Sequence, residues 1–322
     1  MRKLLILSFI ILTQFSTAFA NDEWKSEWPN TDFSKSNIDF AEIISGGPPK
    51  DGIPSIDNPI FQPVKEIKDI EDKEPVISLS INNDARAYPI RILMYHEIVN
   101  DTVGGVPVSV TYCPLCNASL TFERTLDGKV LDFGTTGKLR KSDMVMYDRQ
   151  TESWWQQFTG EGIVGEYTGK KLTLVPSRIE SFALFKERHP QGKVLVPNNP
   201  NARPYGNNPY ASYDSSQWPF LFKGEYDGPV PPLSRVVAVG NDAWPLSLLE
   251  EKKRIEHEGM VISWQQGQHS ALDSHTISKG RDIGNVTVQK DGKDVVYHIP
   301  FAFAFLAFNE EGKIHTEAGD GK

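Results

Sequence analysis

The sequence predicts an α+β fold, predominantly antiparallel β, built as two degenerate repeat halves with short helices. Three observations carry that expectation. Apolar and polar residues alternate over short runs, as at Ile77, Leu79 and Ile81, and pairs of Asn, Asp and Gly separate the runs. Helical spacing is confined to brief stretches such as "IRILMYHEIV" and "IESFALFKERHP". Two distant stretches also match: "NNDARAYPIRIL" with "GNDAWPLSLL", and "VTYCPLCNASL" with "ISWQQGQHSAL". With one gap, Asn83-Asp84-Ala85 meets Asn241-Asp242-Ala243, Pro89 meets Pro245 and Leu120 meets Leu272. In that register Cys113 and Cys116 face Gln265 and Gln268, so any thiol chemistry belongs to the first half.

Taken in order, residues 1–20 read as a signal peptide. Arg2 and Lys3 precede a short apolar run that ends in Ala18-Phe19-Ala20, the small-x-small pattern that a signal peptidase cuts. The run is too short for a membrane span, and no later stretch has the ~20 apolar residues a span needs. The expected location is periplasmic or secreted, after cleavage following Ala20. Residues 21–73, rich in Pro, Gly and Asp, read as an extended arm. Residues 74–197 form the first half, in which "NNDA" is a turn, Asp127-Gly128 turns a hairpin, and a helix over "IESFALFKERHP" ends at Pro190. A connector rich in Pro, Asn and Tyr spans 198–232, and 233–322 is the second half.

The formal charge of the whole chain is −8, and losing Arg2 and Lys3 with the leader takes it to −10. An acidic chain of this kind is a poor nucleic-acid partner. No Ser-His-Asp set, HExxH, Walker sequence or dinucleotide fingerprint is present, which disfavours hydrolase and nucleotide chemistry. The composition names no small-molecule or protein partner.

Chemistry concentrates in "VTYCPLCNASL", which holds both cysteines of the chain. Cys113 and Cys116 fall between two predicted strands, so they lack the helix N-terminus that lowers the pKa of thioredoxin-type thiols. A two-strand turn bearing Cys-Pro-x-Cys instead suits a metal knuckle. Two thiolates leave a zinc or copper site incomplete. His96 is the first candidate for a further ligand or a catalytic partner of the cysteines; its alternative is a surface histidine at a helix C-terminus. Met146, which shares a strand face with Met144, would add a soft thioether and favour copper, though such methionines also fill cores. Glu97 would be a general base for a metal-bound water, but neighbouring helical residues diverge by ~100°, so it need not share a site with His96.

The second conspicuous string is "YDRQTESWWQQF". Asp148 and Thr151 bracket an Asx-type turn, and Trp154 and Trp155 send their rings to opposite faces of a strand. The functional reading makes Asp148, Trp154 and Trp155 the wall of a cofactor- or ligand-binding cleft beside the cysteines. The plainer one makes them a turn and a core.

Several of these strings resemble one family. "YPIRIL", "HEIVNDTVGGVPVSVTYCPLCNASLTFER", "FGTTGKLRKSDMVMYDRQTESWWQQFTGEGIVGEYTGKKL" and "NPYASYDSS" are similar to the DUF3179 family, exported bacterial and archaeal proteins defined by a domain of unknown function. The resemblance runs from about Lys73 to the C-terminus and implies no established activity. Asn117 departs from it, standing where a small residue such as Gly is more usual. Two functions therefore stand: a metal-binding (copper or zinc) or thiol-redox protein centred on Cys113 and Cys116 with His96, or a noncatalytic β-rich binding module whose cysteines form a structural disulfide.

Overall fold

The computed structural model describes residues 24–317, so the expected signal peptide lies outside the described residues. Five small sheets are arranged as the blades of a five-bladed β-propeller. Sheet I holds strands Ile43–Ser45, Phe133–Arg140, Asp143–Asp148, Trp154–Gln156 and Glu161–Val164. Sheet II is Thr173–Val175, Ala118–Glu123, Val106–Cys113 and Ile98–Val103. Sheet III is Arg178–Ser181, Pro75–Ile81, Asp84–Pro89, Lys193–Val196 and Ile60–Pro63. Sheet IV is Val236–Val239, Asp242–Pro245 and Lys313–Ile314, and sheet V is Arg254–His257, Met260–Gln265, Asn285–Lys290 and Lys293–Asp294. Pairing is antiparallel except where Lys193–Val196 joins Asp84–Pro89 and Lys313–Ile314 joins Asp242–Pro245.

The expected α+β fold of two degenerate repeat halves is corrected by this arrangement. Among the described residues strand makes up 39% and helix 15%, and the helices α1 (Ile90–His96), α2 (Phe182–Arg188), α3 (Leu246–Lys252) and α4 (Ala302–Phe308) have seven residues each, too short to form a layer. Each matched stretch does contain a hairpin, a helix and a meander, but its strands are dealt to two different sheets. The main core cluster runs from Ile56 to Ala304, so the apolar interior is shared rather than divided at the connector. Alternation reports that a segment is a strand; which sheet it joins depends on partners distant in sequence.

The tight turns follow from residue type. Asn82-Asn83, Gly104-Gly105 and Asp127-Gly128 each join two strands with both φ values positive, as type I′ hairpins require. Lys141-Ser142 does the same (φ 51° and 68°) without the residues that favour it.

The arm is woven into the fold, giving Ile43–Ser45 to sheet I and Ile60–Pro63 to sheet III. Its first residues lock onto sheet I through aromatic edges: Trp24, Trp28 and Phe33 lie 5.2, 5.5 and 5.4 Å from Trp154, centroid to centroid. Truncating the central indole removes contact with all three rings. Trp154→Ala should therefore destabilise the protein by about 3–5 kcal/mol in urea unfolding and should open residues 24–42 to limited proteolysis before the rest.

Candidate functional site

The site forms where sheet II meets sheet I. Strands Val106–Cys113 and Ala118–Glu123 pair from Val108↔Glu123 to Cys113↔Ala118, which leaves Pro114 to Asn117 as the connecting loop. Asn117 closes it in the left-handed region (φ 49°), where Asn is tolerated next best to Gly. Its side chain holds it there: Tyr112 Oη donates to Oδ1 (3.2 Å), and Nδ2 donates to the Ile299 carbonyl (2.6 Å). This accounts for Asn at a place where a smaller residue was expected. The Phe301 N–H donates to the Cys116 carbonyl, and Tyr213 Oη to the Leu115 carbonyl, both at 2.9 Å.

Opposite the loop stands the Lys141-Ser142 turn. Its left-handed backbone aims the Ser142 carbonyl at the thiols, with Cys116 Sγ at 3.5 Å and Cys113 Sγ at 4.0 Å. Asp143 follows directly, and one donor atom from each of Cys113, Cys116 and Asp143 lies within 4.8 Å of the others. Asp143 is wholly buried; its Oδ2 accepts from Gln156 Nε2 (2.7 Å) and the Phe158 N–H (2.9 Å), while its buried Oδ1 has no hydrogen-bond partner. Cys113 and Cys116 are 2% and 0% exposed, and both thiols are free.

The electrostatics follow from burial. Loss of water pushes the Asp143 carboxyl up to about 7, against the hydrogen bonds from Gln156 and the Phe158 N–H. Burial also raises both thiols, Cys116 most. Glu97, the C-cap of α1 with φ 56°, is driven up to about 8 by burial and then by the charge of Asp143. Its own charge acts on Cys113 and Tyr210, so it belongs to the same neighbourhood.

The structure brings Cys113 and Cys116 together and adds Asp143. His96 lies outside that donor group: its Nδ1 bonds the Pro54 carbonyl (2.7 Å) and its Nε2 the Tyr205 hydroxyl (2.8 Å). His96 and its neighbour Glu97 thus serve different places. Met146 is fully buried in the core cluster that also contains both cysteines. Trp154 and Trp155 do face opposite ways, into separate clusters, but both are 0% exposed and neither walls an open cleft. The Asp148 carboxylate caps its turn, accepting from the Thr151 N–H (2.7 Å) and from Trp155 Nε1 (2.9 Å). Sequence reasoning missed Asp143 and Ser142. The one available signal was a carboxylate inside the apolar string "SDMVMYD".

Fold and site together define a propeller-like all-β protein with a buried dithiol–carboxylate cluster. The chain belongs to the family described as Protein of unknown function (DUF3179), whose model matches residues 50–316. Neither the curated proteins nor the solved structures yielded a match. Among the described residues no helix is long and apolar enough to cross a membrane.

The raised carboxyls give a pH signature. Between the ordinary values of 3.8 and 4.5 and the raised values of about 7 and about 8, Asp143 and Glu97 hold protons in the folded protein that the unfolded chain has released. Stability therefore falls as pH rises. With chelator present to strip any metal, the melting temperature should drop between pH 5 and pH 8, and Asp143→Asn should flatten the drop.

Proposed function

We propose that Cys113, Cys116 and Asp143 form a metal site of an exported protein, and that the cation is divalent and zinc-like. The observation that carries this is the buried Asp143 carboxyl, which places an oxygen within 4.8 Å of two sulfurs and leaves its Oδ1 without a hydrogen-bond partner. Groups that each hold their proton tightly when crowded together in a dry interior are relieved by a dication.

The donor set favours zinc over copper(I), because a carboxylate is a hard ligand beside two thiolates. The Ser142 carbonyl is placed to complete four ligands. A tetrahedral site with Zn–S of about 2.3 Å and Zn–O of about 2.0 Å has S–S edges of about 3.8 Å and S–O edges of about 3.5 Å. The separation of Cys116 Sγ from the Ser142 oxygen, 3.5 Å, is such an edge.

The thiol-redox reading has less support. Reactive thiols are exposed and acidified, whereas these are buried and their pKa values are raised. The binding-module reading relied on a tryptophan-walled cleft, and both rings are enclosed.

Metal analysis of protein purified without oxygen should find about one zinc per chain. Cys113→Ser and Cys116→Ser should abolish it, and Asp143→Asn should weaken it at least about tenfold. Because protons must leave as the metal enters, affinity should rise with pH. A chain that takes up no zinc at pH 8 rejects the proposal, and so does one isolated with the cysteines joined and two hydrogens lighter by mass.

A further inference from the structure

The thiols are enclosed, so a cation needs a way in, and the connector supplies one. Upstream, Asp214 is tied down: its carboxylate takes Arg235 Nη1 (2.8 Å), Arg281 Nη1 (2.8 Å) and Ser270 Oγ (2.5 Å). Downstream, Phe222 is buried, its ring 4.9 Å from that of Phe303. Between these anchors, residues 216–221 are held differently.

Among the described residues, the hydrogen bonds of this segment beyond its own turns and flanks pass through the backbone of one residue, Phe220. Its N–H donates to Tyr213 Oη (3.3 Å), and its carbonyl accepts from Ser142 Oγ (2.6 Å). Each catch also touches the site. Tyr213 Oη donates to the Leu115 carbonyl inside the Cys-x-x-Cys loop, and the Ser142 carbonyl faces both sulfurs. The segment's outer face is apolar, with Trp218 49% and Phe220 59% exposed. Ser212 (φ 63°) precedes it and Leu221 (φ 59°) ends it, both left-handed without being glycine. For a bulky residue such as Leu221 that backbone is strained, so release of the segment is favoured locally.

We propose that residues 216–221 form the access flap of the cysteine site, latched through the backbone N–H and carbonyl of Phe220 to Tyr213 and Ser142. Its purpose rests on the metal reading, but its existence does not. Opening breaks the two Phe220 bonds while the Asp214 and Phe222 anchors stay in place, which uncovers the face of the site formed by Leu115 and Ser142. Closing restores the bond that steadies the Ser142 turn, so the flap would slow exchange of a bound cation.

The test is thiol labelling of the metal-free, reduced protein with the aromatic disulfide DTNB. Loss of one hydrogen bond shifts an opening equilibrium about fivefold to tenfold. Ser142→Gly, which suits the left-handed backbone and keeps the carbonyl, should speed labelling by that factor, and Tyr213→Phe, which also loses the bond to the Leu115 carbonyl, by at least as much. Tyr297→Phe, which removes an equally buried hydroxyl bonded to the Val286 carbonyl at 2.7 Å, should leave the rate unchanged. Equal acceleration in all three variants, or none in the first two, overturns the flap.

Should a variant fail to fold, amide hydrogen exchange of the wild type decides. Phe220 should exchange at least about a hundredfold faster than Tyr112, as local opening does relative to global unfolding; equal protection overturns the proposal. Zinc release to EDTA, where zinc is bound, should follow the labelling order. A chain that binds no zinc yet labels as expected keeps the flap and loses the metal reading. One that binds zinc but labels alike in every variant does the reverse.

Discussion

Burying the carboxyl of Asp143 beside two thiols is the constraint around which the centre of this protein is arranged. A carboxylate removed from water costs several kcal/mol unless neighbouring groups compensate it. Here Gln156 and the Phe158 N–H satisfy one oxygen, and both come from the strand and turn that follow Trp155 in sheet I. The other is buried without a hydrogen-bond partner, and the carboxyl lies beside both sulfurs. Sheet I thus holds the acid, sheet II holds the thiols, and their junction is where the charge problem is resolved.

That junction depends on unfavourable backbone being held in place. Glu97, Asn117 and Ser142 all have positive φ, and all three border the cluster. Each is fixed by something outside its own turn. The Glu97 N–H closes α1 on the Leu93 carbonyl and its own carbonyl takes the Tyr112 N–H; Asn117 is pinned between Tyr112 and Ile299; Ser142 is capped by Phe220. Local strain at a site persists when the surroundings over-determine it, and here the surroundings include sheet II, sheet III's helix, the connector and the segment before α4.

The remainder of the fold supplies rigidity. The N-terminal arm buries Trp28 against Tyr147 and Trp154, and Lys138 lies over the Trp28 and Trp154 rings while pairing with Glu27 at 2.6 Å. Asp214 joins the connector to Arg235 of the segment entering sheet IV and to Arg281, between the second and third strands of sheet V. These ion pairs on the buried Asp214 carboxylate register segments distant in sequence. They set the connector across the Cys-x-x-Cys loop.

The sequence by itself determined the local elements. Period-2 alternation located the strands around the cysteines, Asn82-Asn83 and Asp127-Gly128 marked their turns, and the Pro-led helix at Ile90 and the helix before Pro190 were legible from spacing. The family was legible too, from strings in "TYCPLC" and "MYDRQTESW", as were the two sulfurs of the site. Only the tertiary structure decided how strands sort into five blades, because that depends on pairings such as Ile43↔Arg140 that join residues far apart in the chain. It alone chose Asp143 as the companion of the cysteines. Alternation along a strand gives the face a side chain takes, but the approach of sheet I to sheet II fixes which side chains meet, and a carboxylate tolerates burial only where that meeting supplies its partners.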